Sequence, residues 1–340
     1  MAARLLYDVQ QRYKPRIYRE FLGAEPYTES EFQARYRFSK ESIRILTNLL
    51  NDDLKRPTNR SHAIPVETQM KIALRYYASG SFMQVIGDIG DTFGYDKSTV
   101  SRIIQAVTGA ISAHGADFLR WPDETTKPAI INGFYNIARF PCVIGAVDGT
   151  HIRIQAPSDN EYAFVNRKNF HSINVQGICD HEGKFTNIVA KWPGSTHDSF
   201  IFRNSDVGIH LDQNHRGFDV DGLLLGDSGY ACKPYLMTPY LRPSTRHQER
   251  FNSAQTRTRS VIERTFGRWK RRFHLLHSEI RLTPDRVCKI VIACAILHNF
   301  AILQRETMID DREVEEIDIG QDLGRQDGTN VRNLIATTYF

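Results

Sequence analysis

Apolar positions recur at helical spacing early in the chain and at strand-like spacing further on. Over residues 31–52, Phe32, Tyr36, Ile43, Ile45, Leu46, Leu49 and Leu50 follow a helical period, so this stretch is predicted helical. Pro65 opens a second run in which Ile72, Ala73, Tyr76 and Tyr77 share a face, and Gly80 marks its stop. Beyond it the pattern predicts a short helix from Phe82 to Asp91, a turn over residues 93–96 containing Gly94, and a second helix from Lys97. That second helix buries Val100, Ile103, Ile104 and Val107 and presents Lys97, Ser98, Ser101, Arg102 and Gln105 on its other face. A loop with two prolines, WPDETTKPAI, then gives the best domain boundary, followed by a short helix near residues 132–139.

From Val143 the period changes. VIGAVD is a compact apolar run ending in an acid, and HIRIQ either continues that strand or forms its partner. NVQGICD and FTNIVAKWPG read as two strands joined by a turn at residues 181–184. DSFIFRNS suggests a short helix, and LLLGDSGY is another buried strand that ends in an acid. Residues 256–303 read as helical, with Trp192 and Trp269 as core and His298 and Asn299 as capping or packing residues. Strands followed by helices imply an α/β layer. The domains are thus a helical region over 1–120, a linker with a short helix over 121–140, a catalytic domain over 141–303, and a partly flexible acidic tail over 304–340.

Composition narrows the class. With 41% hydrophobic and 24% charged residues, the 340-residue chain can bury a sizeable core. The five cysteines are scattered and form no CxxC pair, which argues against a disulfide framework or zinc site and for a reducing compartment, cytosol or nucleus. No apolar run approaches the roughly 20 residues that a spanning helix needs. No membrane association is therefore expected, and residues 1–14 carry no pattern of a secretory signal. A net charge of +5 permits an anionic partner without demanding one.

Four acids carry the candidate chemistry. Asp148 and Asp227 each follow an apolar strand and precede a small residue, in AVDGT and LGDSGY, which places them at a sheet rim where ligands bind. Glu263 lies beside the predicted buried stripe of Ile262, Phe266, Trp269 and Phe273, on a ridge with Arg259, Gly267 and Lys270. Asp198, in THDSF, begins the short helix. Hard oxygen ligands from several elements suit Mg²⁺ or Mn²⁺, and two such ions can activate a water or a 3′-hydroxyl for in-line displacement at phosphorus. Each acid alone has a plainer role: Asp198 as a helix cap, Glu263 as partner to Arg259 or Arg264. His151, His171 and His197 lie near this centre and are more simply structural. Arg257, Arg259, Arg264, Arg268, Lys270, Arg271 and Arg272 form the densest positive stretch, which suits a polyanion or a nuclear address. Arg167 and Lys168 are a second basic pair; a charged loop explains them as well. Likewise the polar helix face at Lys97, Ser98, Ser101 and Arg102 fits either a solvated hairpin or a helix-turn-helix near 82–108 that reads DNA. Its position directly before a candidate DNA-cutting centre favours the second.

The segments AVDGTHIRI, NRKNFHSINVQGICD, KWPGSTHDSFIF, LLLGDSGYACKPYLMTPY, FNSAQTRTRSVIERTFGRWKRRF and ILHNF occur in this order over residues 141–300. Together they resemble the PIF/Harbinger family of transposases and the nucleases derived from them, and the segments RPTNRSHAIPVETQ and YYASGSFMQVIGD, within residues 56–88, resemble that family's N-terminal region. The resemblance implies an RNase H-like DDE nuclease core, a mixed sheet flanked by helices. It implies Asp148, Asp227 and Glu263 as catalytic acids, Asp198 as a fourth metal ligand, Mg²⁺ or Mn²⁺ as cofactor, and DNA as substrate. A Myb/SANT-like DNA-binding partner and a nuclear location come from the same resemblance, and a homo-oligomer stays open. Two rivals stay open beside the DNA nuclease: a catalytically silent DNA-binding or scaffold protein on the same fold, and a related enzyme acting on RNA.

Overall fold

The computed structural model describes residues 27–57, 63–80, 88–89, 92–307 and 326–340. The absence of a secretory signal, most of the first helix of the helix-turn-helix and the acidic run of the tail concern residues outside these.

Among the described residues, seven helices come first: α1 (Glu29–Tyr36), α2 (Lys40–Leu49), α3 (Asn51–Leu54), α4 (Val66–Ser79), α5 (Lys97–Ala113), α6 (Gly115–Phe118) and α7 (Lys127–Ala138). Local chemistry sets several of their ends. Thr28 and Glu31 form a reciprocal capping box at α1. Gly80 closes α4 at φ 105°, a conformation that glycine reaches without Cβ strain. Asp96 caps α5 by accepting from the Thr99 N–H. As the period predicted, α5 buries Val100, Ile103, Ile104 and Val107. The helix expected near 132–139 starts earlier, at Lys127, with Pro128 in its first turn.

Next comes the sheet: β1 (Val143–Arg153), β2 (Ser172–Cys179) and β3 (Phe185–Pro193), then α8 (Asp198–Arg203), α9 (Asp206–Asn214), β4 (Leu223–Leu225) and β5 (Leu236–Met237). The strand order is β3-β2-β1-β4-β5. The first three strands are antiparallel, whereas β4 pairs parallel to both β1 and β5. The HIRIQ segment continues β1. Among the described residues, three α-helices follow the sheet: α10 (Arg246–Arg272), α11 (Pro284–Leu303) and α12 (Thr329–Tyr339).

One continuous apolar cluster joins the early helices to the sheet and the late helices. Phe38 sits between Phe273 and Phe300, at 6.4 and 6.0 Å, and α5 packs on α11. The terminal helix α12 docks on α10, where Phe340 meets Phe140 and Phe251. One expectation needs correction: α11 is long and apolar enough, by length and composition, to cross a membrane. Its charges, Asp285, Arg286 and Lys289, lie in its first turns and interrupt the run there. In this fold α11 is a core helix, with Val291 and the stretch from Ala293 to Ala301 buried.

Candidate active site

Asp148 lies inside β1 and not at its end, because pairing with β2 carries that strand on to Arg153. The neighbour is what stops. The parallel β1–β4 pairing ends at Ala146 and Leu225. Asp148 and Asp227 each stand two residues beyond that last pair, so both acids come to the same rim where β4 leaves β1 uncovered. The chain turns sharply after β4, and the Gly229 N–H donates to Asp227 Oδ1 at 2.9 Å.

Glu263 comes from α10. Its buried stripe is the predicted one, Ile262, Phe266, Trp269 and Phe273, and Gln255 ties the helix to the Asp227 loop by donating to the Gly226 carbonyl at 2.7 Å. One turn further along, Arg259 reaches Asp148 Oδ2 at 3.2 Å and Glu263 Oε1 at 2.5 Å. Thus a guanidinium joins the strand acid to the helix acid. Of the two structural partners considered for Glu263, Arg259 is the one it pairs with.

Asp198 is the first residue of α8, and the N-cap is His197, without a side-chain capping bond. The Asp198 carboxylate instead accepts from Asn174 Nδ2 at 2.7 Å, while Gln176 Nε2 donates to the Asp198 carbonyl at 3.1 Å. A Cβ at position 149 would collide with the Asp198 carboxylate, so Gly149 is what lets this acid lie against β1 beside Asp148. Asn174 and Gln176 had no place in the expected site. Their signal was there: two polar residues at period-two positions in a strand buried throughout. The side-chain oxygens of both are buried without a hydrogen-bond partner among the described residues.

Burial pushes the Asp148 carboxyl well above the ordinary carboxylate range; Arg259 opposes this, and Asp227 and Asp198 add to it. For Arg259 burial acts against the charge, but Asp148, Glu263 and Asp227 outweigh it and raise its pKa. The Tyr230 hydroxyl is also pushed well up, by burial first and then by Asp198, Asp148 and Asp227. Three aspartates therefore share one electrostatic neighbourhood with more negative than positive charge. Their hard oxygen donors fit a divalent cation, which would relieve that excess. As the side chains stand, no three His, Cys, Asp or Glu among the described residues form a closed metal cluster.

Beside Asp198 and Asp227 opens a cavity of about 310 Å³, lined also by His151, Arg167, Asn174, His197, Phe200 and Arg203. Arg167 donates to His197 Nδ1 at 2.5 Å, and His151 Nδ1 meets Ser172 Oγ at 3.0 Å. Lys168 is exposed next to Arg167. Lys97, Ser98 and Arg102 are exposed on α5 and Ser101 is half-buried there; Arg102 bonds back to Ser98 and Thr99 of its own helix. Two of the expected DNA contacts are placed elsewhere. Arg259 lies among the acids, and Lys270 is buried with its Nζ 3.4 Å from the His151 carbonyl, because both project from α10 toward the sheet.

Residues 147–299 match the model of a family described as DDE superfamily endonuclease. The human protein named "Putative nuclease HARBI1" is 36% identical over 279 residues, covering 81% of this chain and 78% of that one. The chain belongs to the DDE superfamily endonucleases. Within them it is similar to the Harbinger transposase-derived branch: the Xenopus laevis protein of the same name is 35% identical, over 81% of this chain and 79% of its own. It is also similar to the Arabidopsis thaliana "Protein ALP1-like", 26% identical over 84% of this chain and 74% of that protein. No solved structure gives a significant match. The five-stranded mixed sheet with flanking helices is consistent with a DDE nuclease fold.

Proposed function

We propose that this chain is a divalent-metal-dependent DNA endonuclease, cutting phosphodiester bonds or transferring strands at Asp148, Asp227 and Glu263, with Asp198 as a fourth metal ligand. The observation that carries this reading is the placement of Asp148 and Asp227 two residues past the last β1–β4 pair, with Arg259 linking Asp148 to Glu263. When bound, Mg²⁺ or Mn²⁺, most simply as two ions, would neutralise charge and activate the attacking water or hydroxyl. The protein's own part is to hold the carboxylates together. The sheet fixes Asp148 and Asp227, Asn174 orients Asp198, and α10 supplies Glu263. Arg259 neutralises Asp148 and Glu263 until the metal does, and is then free to meet a phosphate oxygen.

Arg167 and Lys168 beside the cavity, and the exposed Lys97, Ser98, Ser101 and Arg102 face, serve DNA phosphates in this reading. DNA as substrate places the work in the nucleus. A Myb/SANT-like partner belongs to this reading through family resemblance alone.

A second reading has one observation in its favour: Arg259 already neutralises two of the acids, as in a silent DNA-binding scaffold. The test is cleavage of plasmid or element-end DNA with Mg²⁺ or Mn²⁺, with metal binding followed by calorimetry. Asp148→Ala is expected to lower cleavage on the order of 10³-fold, and Asp227→Ala to weaken metal binding. Equal activity of wild type and Asp148→Ala refutes catalysis at this site. Absence of metal binding by the wild type favours the scaffold.

A further inference from the structure

The cavity beside Asp198 and Asp227 has a composition that a metal site alone does not require. At about 310 Å³ it is at the lower end of small-ligand pockets. Phe200 lines it and stays 40% exposed, although it belongs to a helix whose other large apolar residues, Ile201 and Phe202, are buried. Its ring is held by neighbours without being covered: Trp192 meets it at 87° with centroids 5.2 Å apart, and the Arg203 guanidinium lies 5.6 Å from its centroid. Phe200 and Arg203 are three residues apart on α8, which is why they share a face. The wall also carries Arg167, next to His197. The Asn174 side-chain oxygen in the same lining is a buried acceptor without a partner among the described residues.

An aromatic platform, two guanidinium groups and an unused acceptor, opening directly beside two acids, match the parts of one nucleotide. A base has a π face for Phe200 and Arg203, and its edge carries N–H donors. The adjoining phosphate suits Arg167. A paired base cannot present its face to a ring, so the occupant has to be unstacked. We infer that this cavity receives one unpaired nucleotide of the DNA strand next to the bond to be cut, with its base stacked on Phe200. The inference rests on the reading of DNA as substrate and adds to it a requirement for local strand opening.

The experiment measures binding by fluorescence anisotropy with Ca²⁺, an oxygen-seeking cation, in place of Mg²⁺. The two labelled duplexes differ only in their single bulged position, a thymidine in one and an abasic sugar in the other. The wild type is expected to prefer the thymidine bulge about tenfold. Phe200→Ala should reduce that preference to within about twofold, and Phe200→Trp, which restores a stacking surface, should keep it. Equal wild-type affinities, or a preference that survives in Phe200→Ala, overturn the inference. If that happens while metal-dependent cleavage is still lost in Asp148→Ala, only the nucleotide pocket falls. If the wild type neither binds nor cuts DNA, the reading of DNA as substrate falls as well.

Discussion

Two polar clusters lie at different places on the same sheet, and they are built differently. Around the β2–β3 turn, Asn299 donates to the Phe185 and Phe118 carbonyls at 2.7 and 2.9 Å and accepts from the Phe185 N–H at 2.8 Å. His298 Nε2 lies 3.0 Å from the Gly183 carbonyl, and Asp180 accepts from the Glu182 and Lys184 N–H groups. Each of these side chains has a backbone partner, although His298 Nδ1 is buried without one among the described residues, and the effect is to pin α11 to the sheet. At the acid rim, by contrast, Asp198 and Asp227 raise the proton affinity of Asp148, and all three acids raise that of Tyr230, while Asn174 and Gln176 each keep an oxygen without a partner among the described residues. A polar cluster that serves stability finds most of its partners in the backbone. One that serves a ligand is left short of positive charge and of donors, which the ligand then supplies.

That contrast is open to direct tests. The largest effect on stability is expected at the satisfied cluster. Asn299→Ala removes the partner of two buried backbone groups and one half-buried one and should cost roughly 3 kcal/mol, seen as a Tm several degrees lower by calorimetry. A Tm within about 1 °C of wild type would show that water replaces those bonds. A smaller effect of opposite sign is expected at the acid rim. Asp148 has a folded pKa above its unfolded value of 3.8, so its contribution is fully present below that value and lost as pH rises through the raised folded pKa. Asp148→Asn should therefore stabilise the metal-free protein near neutral pH, by about 1 kcal/mol, and abolish any Tm gain on adding Mn²⁺. A destabilised Asp148→Asn would mean that the ion pair with Arg259 outweighs the repulsion. The last effect concerns His298 and shows only on acidification. Burial, helped by Arg272, holds its pKa down at about 3 against an ordinary 6.5. Stability from the neutral ring is present above 6.5 and is lost as pH falls from there toward 3, at up to about 1.4 kcal/mol per pH unit. His298→Gln should thus lose less Tm than wild type between about pH 7.5 and about pH 5; equal losses would assign the acid sensitivity to other groups.

Much of the fold was legible from spacing. The strands β2 and β3, the turn at residues 181–184, the helix from Lys97 and the buried face of α10 stand where the period placed them, because burial of one face fixes residue identity along an element. Asp148 was legible as a rim acid, but for a different reason from the one its apolar run offered, since the strand continues and the neighbour stops. Lys270 and Arg259 could not be placed, because a helix with cations on several faces does not reveal which side meets the sheet. Asn174 and Gln176 were readable only as polar interruptions. Their partner Asp198 is 24 and 22 residues away in the chain, and no local pattern links them.

By itself the sequence determined which elements form, which acids end or interrupt apolar runs, and the family to which their order points. Those properties are set by neighbours a few residues apart, through side-chain period, caps and turns. The tertiary structure decided that β4 stops short of β1, that Gly149 gives Asp198 room beside Asp148, and that Arg259 spans two acids 115 positions apart in the chain. It also decided that Phe200 stays uncovered beside them. These depend on register and on how α8 and α10 dock against the sheet, which the sum of long-range packing fixes and local propensity does not.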